Sequence, residues 1–217
     1  MKLYYVVGSP NCRKVLSVIH HLGLEVEMEY LDFFTGDLGT DAYLDVNLNA
    51  KVPTLTDGAF TLWESNAIMQ YLADQTPGNT LLPNYPQIRA DITRWQCWEL
   101  SHYNNAFGTL AFETVLKPQF NMGEPNLPLV ENSQENLKRY ATVLEKHMQN
   151  RQYAVGEAIT LADYSLTHIE AFKDAIPFDW SDYPNVNAYY DRMRNNQHWA
   201  STAPQSIEAI GRVPTTA

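Results

Sequence analysis

Residues 3–14, LYYVVGSPNCRK, decide how the first third of the chain is built. Residues 3–7 are aromatic or branched, the composition of a short strand. Cys12, Val15, Ile19 and Leu22 then recur at helical spacing, and Gly23 follows as a residue that closes a helix in a left-handed turn. Gly8, Ser9 and Pro10 are therefore a strand-to-helix junction. Its outline is that of a dithiol redox motif, C-P-x-C, whose first cysteine has become serine. What chemistry survives that exchange depends on the rest of the chain.

Working outward, residues 25–32 (EVEMEYLD) alternate apolar and acidic side chains, as a half-buried strand does, and a loop with a short helix follows around residues 41–47. Residues 54–63 (TLTDGAFTLW) read as two strands joined through Asp57 and Gly58, a hairpin signal. Residues 65–74 return to helix, with Ile68, Tyr71 and Leu72 on the inner face. The order βαβ, then αββα, predicts a small α/β unit with a mixed sheet over residues 1–76. A Pro- and Gly-rich stretch (TPGNTLLPNYPQ, 76–87) predicts a linker at 77–87. Beyond it strands vanish. Residues 88–115 read as a long helix bent near Gly108, and 118–128 as a loop. Helical stripes follow at Leu137, Ala141, Leu144 and Met148, at Leu161, Tyr164, His168 and Phe172, and at Val186, Tyr189, Tyr190 and Met193. Residues 88–217 are expected to form an all-helical domain.

The composition narrows the function classes. The chain has 217 residues, 45% hydrophobic and 18% charged, with 13 Tyr and 5 Trp, which is a globular balance with a sizeable core. The net charge of −10 without a cluster of Lys or Arg argues against binding nucleic acid. No window matches a signal peptide or the roughly 18 apolar residues of a membrane helix. The two cysteines, Cys12 and Cys97, make no disulfide framework. A cytoplasmic, reducing setting is the expectation, and no metal-ligand spacing such as H-x-x-x-H appears.

Three places can carry chemistry. Ser9 has no base within reach and no G-x-S-x-G elbow, so as a lone serine it reads as a helix N-cap. Its hydroxyl can also donate to an anion, helped by the backbone N–H groups of the helix start. A thiol of pKa about 8.5 needs a shift of roughly two units, about 2.7 kcal/mol, to ionise near neutral pH. One hydrogen bond to a charged group supplies about 1.5–3 kcal/mol, and a helix N-terminus about 0.3–1 more. Serine plus helix suffices, with the sulfur brought by a ligand. Cys12 is either a reactive first-turn thiol or the start of the buried stripe. Val52-Pro53 is either an edge-strand start or a cis-proline turn that offers the Val52 backbone to an extended peptide. Ser65 is a fair N-cap, yet a ligand carboxylate can take that helix N-terminus while Glu64 holds an ammonium; together they describe an α-amino acid end.

Ser9 at the first helix, Val52-Pro53 at a strand start, Glu64-Ser65 at the next helix and the run from Gly156 through Thr160 to Asp163 occur in the order found in cytosolic glutathione transferases. Over nearly its whole length the chain resembles that family, in particular its bacterial and serine-type (theta-, delta- or phi-like) members. The resemblance implies a thioredoxin-like N-terminal domain that binds glutathione and an all-helical domain that supplies most of an adjoining hydrophobic pocket. It assigns Ser9 to the glutathione sulfur, with Asn11 as a second donor nearby. Glu64 and Ser65 would hold the γ-glutamyl end. Val52 would pair with the cysteinyl unit, with Pro53 cis, and Lys51, with Asn49, would reach the glycyl carboxylate. In this family the stretch around Thr160 and Asp163 is a capping box that serves folding. Two departures stand out. Asn47-Leu48-Asn49-Ala50 replaces the frequent Asn-Pro-x-Gly, and Asn66 stands where many relatives have arginine.

The expected activity is that of a glutathione transferase, with the ionised thiol of its co-substrate attacking a hydrophobic electrophile. A glutathione-dependent disulfide or peroxide reductase is the first alternative, because Asn11 and Cys12 lie near the sulfur, and a non-enzymatic ligand-binding module is the second. Tyr103, Phe107, Phe112, Phe120 and Met122 are candidates for the substrate pocket, and the polar run His102-Tyr103-Asn104-Asn105 for the cleft or a subunit interface. A homodimer and a role in detoxification come from the family alone.

Overall fold

The strand expected in residues 3–7 is β1, Lys2–Tyr5, one of the two inner strands of a four-stranded sheet of order β2-β1-β3-β4. The structure is a computed structural model that describes residues 1–205 and 210–211. Helix α1 (Pro10–Leu22) carries the chain across to β2 (Glu27–Tyr30), which is why β2 runs parallel to β1. After the short helix α2 (Asp41–Leu44), β3 (Thr54–Asp57) pairs antiparallel to β1, and β4 (Phe60–Trp63) antiparallel to β3. Gly58 makes the hairpin turn at a left-handed φ of 58°.

Because strand side chains alternate faces, β1 serves two packing surfaces. Leu3 and its cross-strand partner Leu55 are buried. Tyr4 and Val6 join a cluster with Leu31 and Tyr43. Helix α3 (Ser65–Asp74) packs on α1, and between them they bury Cys12, Val15, Val18, Ile68, Met69 and Leu72. Each such aliphatic side chain contributes roughly 1.5–3 kcal/mol of burial.

The chain divides into two units, Met1–Asn79 with Asn196–Ala217, and Thr80–Asn195. The sequence assigned everything from residue 88 onward to the helices. Instead α10 (Gln197–Ala200) packs on α1 in the first unit. The cause is local: Trp199 is fully buried, the Arg13 guanidinium lies 3.9 Å from its ring centre, and Arg13 Nε donates to Thr202 Oγ1 at 3.1 Å.

The second unit is helical, with α4 (Pro86–Trp98), α5 (Asn104–Ala111), α6 (Lys117–Gln119), α7 (Leu127–Met148), α8 (Leu161–Thr167) and α9 (Pro184–Arg194). Gly108, where a bend is expected, lies inside α5. The long stretch is interrupted by π-helical turns at Glu99–Tyr103 and Phe112–Leu116. Helix α7 starts at Leu127, within the expected loop, because Asn126 Oδ1 caps the Leu129 N–H at 3.3 Å. Thr160 and Asp163 form the anticipated capping box. Among the described residues, no helix is long and apolar enough to cross a membrane.

Candidate active site

Ser9 sits where β1 becomes α1. Its backbone N–H donates to Val6 O at 3.3 Å, its carbonyl accepts from Arg13 N at 2.9 Å, and its Oγ accepts from Cys12 N at 3.4 Å. Ser9 is thus the N-cap of a 13-residue helix whose first turn holds no acidic side chain. The capping bond uses a lone pair of Oγ and leaves the hydroxyl hydrogen to donate. Pro10 takes the first helical position, where a missing N–H costs nothing. The capping role and the anion-donor role are compatible.

Cys12 resolves to the buried reading. It has no exposed surface, and burial pushes its thiol up to about 11, against the hydrogen bonds from Val6 and Ser9. A thiol held protonated is a poor nucleophile.

Glu64 and Ser65 meet this junction from α3. Ser65 was expected as the N-cap, but Glu64 takes that position at φ 73° and ψ 114°, so Ser65 becomes the first helical residue. A non-glycine residue held there costs about 1–3 kcal/mol, and such strain clusters at ligand sites. Ser65 is 7% exposed and its hydroxyl donates to Asn11 Oδ1 at 3.4 Å, while Glu64 is exposed.

The Val52-Pro53 bond is cis. The loop leading to it is braced by Asn47 and by Tyr43, which the sequence did not single out. Tyr43 OH donates to Lys51 O at 2.6 Å, and Asn47 Nδ2 donates to Lys51 O at 3.0 Å and to Thr54 Oγ1 at 2.9 Å. Asn49 turns both its backbone N–H and its side-chain amide to Asn47 Oδ1, at 3.0 and 2.9 Å. Tyr43 and Asn47 are four apart, a spacing that could have marked them as neighbours on one helical face. Ala50 adopts φ 52°, the left-handed conformation that glycine takes most readily. The replacement of glycine there therefore keeps a left-handed turn, while Lys51 stays exposed.

The candidates on the helical unit separate. Tyr103 is fully buried and accepts a hydrogen bond from Tyr190 OH at 3.2 Å; Phe107 is 2% exposed and stands edge-on to His168. Both belong to the core of that unit. Phe112 and Met122 keep 38% and 47% of their surface, and Phe120 is half-buried. The polar run divides likewise: His102 and Asn105 line a small polar cavity of about 190 Å³ with Tyr140 and Asn136, while Asn104 Oδ1 faces His168 Nε2 at 2.9 Å. His168 is structural, with Nδ1 2.8 Å from Ser165 O and 3.5 Å from the buried Glu99 carboxylate. Among the described residues no group of three His, Cys, Asp or Glu is placed to hold a metal ion.

Comparison with known proteins bears on both halves of the chain. Residues 3–80 match the glutathione S-transferase N-terminal domain and residues 103–197 the C-terminal domain. A glutathione S-transferase structure from Pseudomonas fluorescens is 31% identical, with 91% of this chain and 96% of that one covered and a TM-score of 0.79. A theta-class enzyme from Xanthomonas axonopodis pv. citri, solved with glutathione bound, is 27% identical over 95% of this chain and 98% of its own, with a TM-score of 0.84. A glutathione transferase from Phanerochaete chrysosporium in complex with oxidized glutathione is 27% identical over 93% of each chain, with a TM-score of 0.81. With both domain types matched in tandem and a relative of this identity covered almost end to end, the chain belongs to the glutathione S-transferase family.

Proposed function

We propose that this glutathione transferase ionises the thiol of glutathione at Ser9 and directs the sulfur at a hydrophobic electrophile. The observation that carries the reading is the Ser9 junction: a hydroxyl whose capping bond uses only a lone pair, at the N-terminus of a long helix, joined through Asn11 to the start of a second helix at Ser65. The γ-glutamyl carboxylate takes the α3 N-terminus and the Ser65 hydroxyl, and its ammonium takes Glu64. The Val52 backbone pairs with the cysteinyl unit, and Lys51, beside Asn49, meets the glycyl carboxylate. The thiol proton leaves to solvent, and the sulfur forms a C–S bond as the leaving group departs with its electron pair. Ser9 works by stabilising charge that is present at the sulfur, with no covalent role. Phe112, Phe120 and Met122, which retain open surface, are the remaining candidates for the electrophile pocket.

The reductase alternative is not favoured, because its second sulfur, Cys12, is buried and held as the neutral thiol. A cytoplasmic homodimer acting in detoxification completes the proposal. The test is the Ser9→Ala variant. The pKa of bound glutathione, followed by thiolate absorbance, rises by about one to two units while its affinity stays within about threefold. An unmoved pKa overturns the assignment.

A further inference from the structure

The chain's last described residues return to the Ser9 junction. In the parallel pair of β1 and β2, Leu31 N donates to Tyr5 O at 2.9 Å. Two residues further along each strand, a continued ladder would join Phe33 N to Val7 O. That bond is replaced by an inserted peptide unit. Gly211 N donates to Val7 O at 2.8 Å and Phe33 N donates to Gly211 O at 3.2 Å.

The fit depends on two glycines. Gly211 holds φ 79°, and a Cβ there would come within 3.0 Å of the Phe34 ring and 3.2 Å of Phe33 Cβ. Gly8 holds φ 76°, and a Cβ there would meet Ile210 Cγ1 at 2.8 Å and Ile210 Cα at 3.2 Å. Ile210 therefore lies directly on the residue before Ser9. Upstream, the same segment is anchored on α1 by the Arg13–Trp199 stack and the Arg13–Thr202 hydrogen bond. It thus grips the chain at Val7 and Gly8, just before Ser9, and at Arg13, one helical turn after it.

We propose that Gly211 is a positioning residue for Ser9: the C-terminal segment, threaded between Val7 and Phe33, fixes the Gly8 turn and so the direction in which the Ser9 hydroxyl donates. Gly211 is assigned no contact with the reacting sulfur and acts through Ser9. This rests on the reading in which Ser9 stabilises the glutathione thiolate, and the experiment separates the two.

Two variants open the bridge. Gly211→Val brings a branched side chain to a left-handed φ and against Phe33 and Phe34, and truncation after Gln205 removes the bridge while keeping α10. Each is compared with wild type for helical content, for the Kd of glutathione, for the pKa of bound glutathione by thiolate absorbance, and for kcat against pH with a small aryl halide. The pKa is expected to rise by about one unit, so that kcat falls roughly fivefold to tenfold near neutral pH and recovers in alkali, with the glutathione Kd within about threefold. In a Ser9→Ala background the same changes add nothing further, a signature that a merely structural contact would not give. If Gly211→Val fails to fold, the truncation decides. Variants that keep the wild-type pKa overturn the proposal alone, as does an equal shift in the Ser9→Ala background. A wild-type protein that leaves the thiol at its solution pKa overturns the Ser9 reading and this proposal with it.

Discussion

The Ser65 hydroxyl lies 3.4 Å from the Asn11 amide oxygen, joining residues 54 apart in sequence. Each stands in the first turn of a helix, so the contact brings together two N-termini, each with N–H groups that lack an intrahelical acceptor and with partial positive charge. A ligand with a thiolate at one end and a carboxylate at the other suits such a pair.

Asn11 is therefore sensitive to charge more than to size. Asn11→Asp places an anion between the two helix starts and is expected to weaken glutathione binding by about tenfold to a hundredfold, at about 1.5–3 kcal/mol. Asn11→Ala removes only a neutral amide and costs about fivefold or less. Titration calorimetry with glutathione checks both. Equal losses in the two variants would show that Asn11 acts by shape alone.

Glu64 combines a charge with a strained backbone, and substitution separates them. Glycine adopts φ 73° freely, so Glu64→Gly is expected to be more stable than wild type by about 1 kcal/mol, the relief of strain less the added freedom of the unfolded chain. Glu64→Ala keeps the strain. Both lose the partner of the γ-glutamyl ammonium, so both raise the glutathione Kd by about tenfold or more. Retained affinity in either variant removes Glu64 from the site.

These residues show how far the sequence could be read. The order of strands and helices was legible because apolar periodicity and the turn residues Gly23, Asp57 and Gly58 agree with each other. The Ser9 junction was legible because strand, turn and helix are contiguous. The brace of Tyr43 and Asn47 on the Lys51 carbonyl was not, since their spacing of four marks them as neighbours without saying which backbone carbonyl they meet. The π-helical turns at Glu99–Tyr103 and Phe112–Leu116 were likewise hidden, being one-residue irregularities inside an otherwise helical pattern. The return of Gly211 to Val7 is a contact between the two ends of the chain, beyond any local signal.

The two cysteines should differ sharply toward a thiol reagent. Cys97 is exposed, whereas Cys12 is buried with its thiol pushed up to about 11. Native protein is expected to label at Cys97 alone near neutral pH, and at both in denaturant, as read by mass spectrometry of the labelled peptides. Cys12→Ala should then keep transferase activity within about threefold at a stability cost of about 1–2 kcal/mol for the small cavity it leaves. Rapid native labelling of Cys12 would reopen the reductase reading.

Asp163 makes stability depend on pH in an unusual direction. Its carboxyl is fully buried and accepts from Ala154 N and Thr160 N at 2.8 Å each, from Thr160 Oγ1 at 3.1 Å and from Tyr189 OH at 3.2 Å. Burial raises it from the ordinary 3.8 to about 6, outweighing those four donors, which favour the charged form. The folded state therefore binds this proton more tightly than the unfolded chain does. The stabilisation is fully present below the unfolded value and is lost as pH rises through the folded one, by about 3 kcal/mol. Other groups titrate in the same window, so the comparison is with Asp163→Asn, which removes this titration alone. The advantage of wild type over the Asp163→Asn variant, measured by urea unfolding, should shrink by most of that amount between about pH 4 and pH 7. A constant difference would mean that the four donors keep the carboxylate ionised throughout, and a growing one would reverse the sign of the linkage.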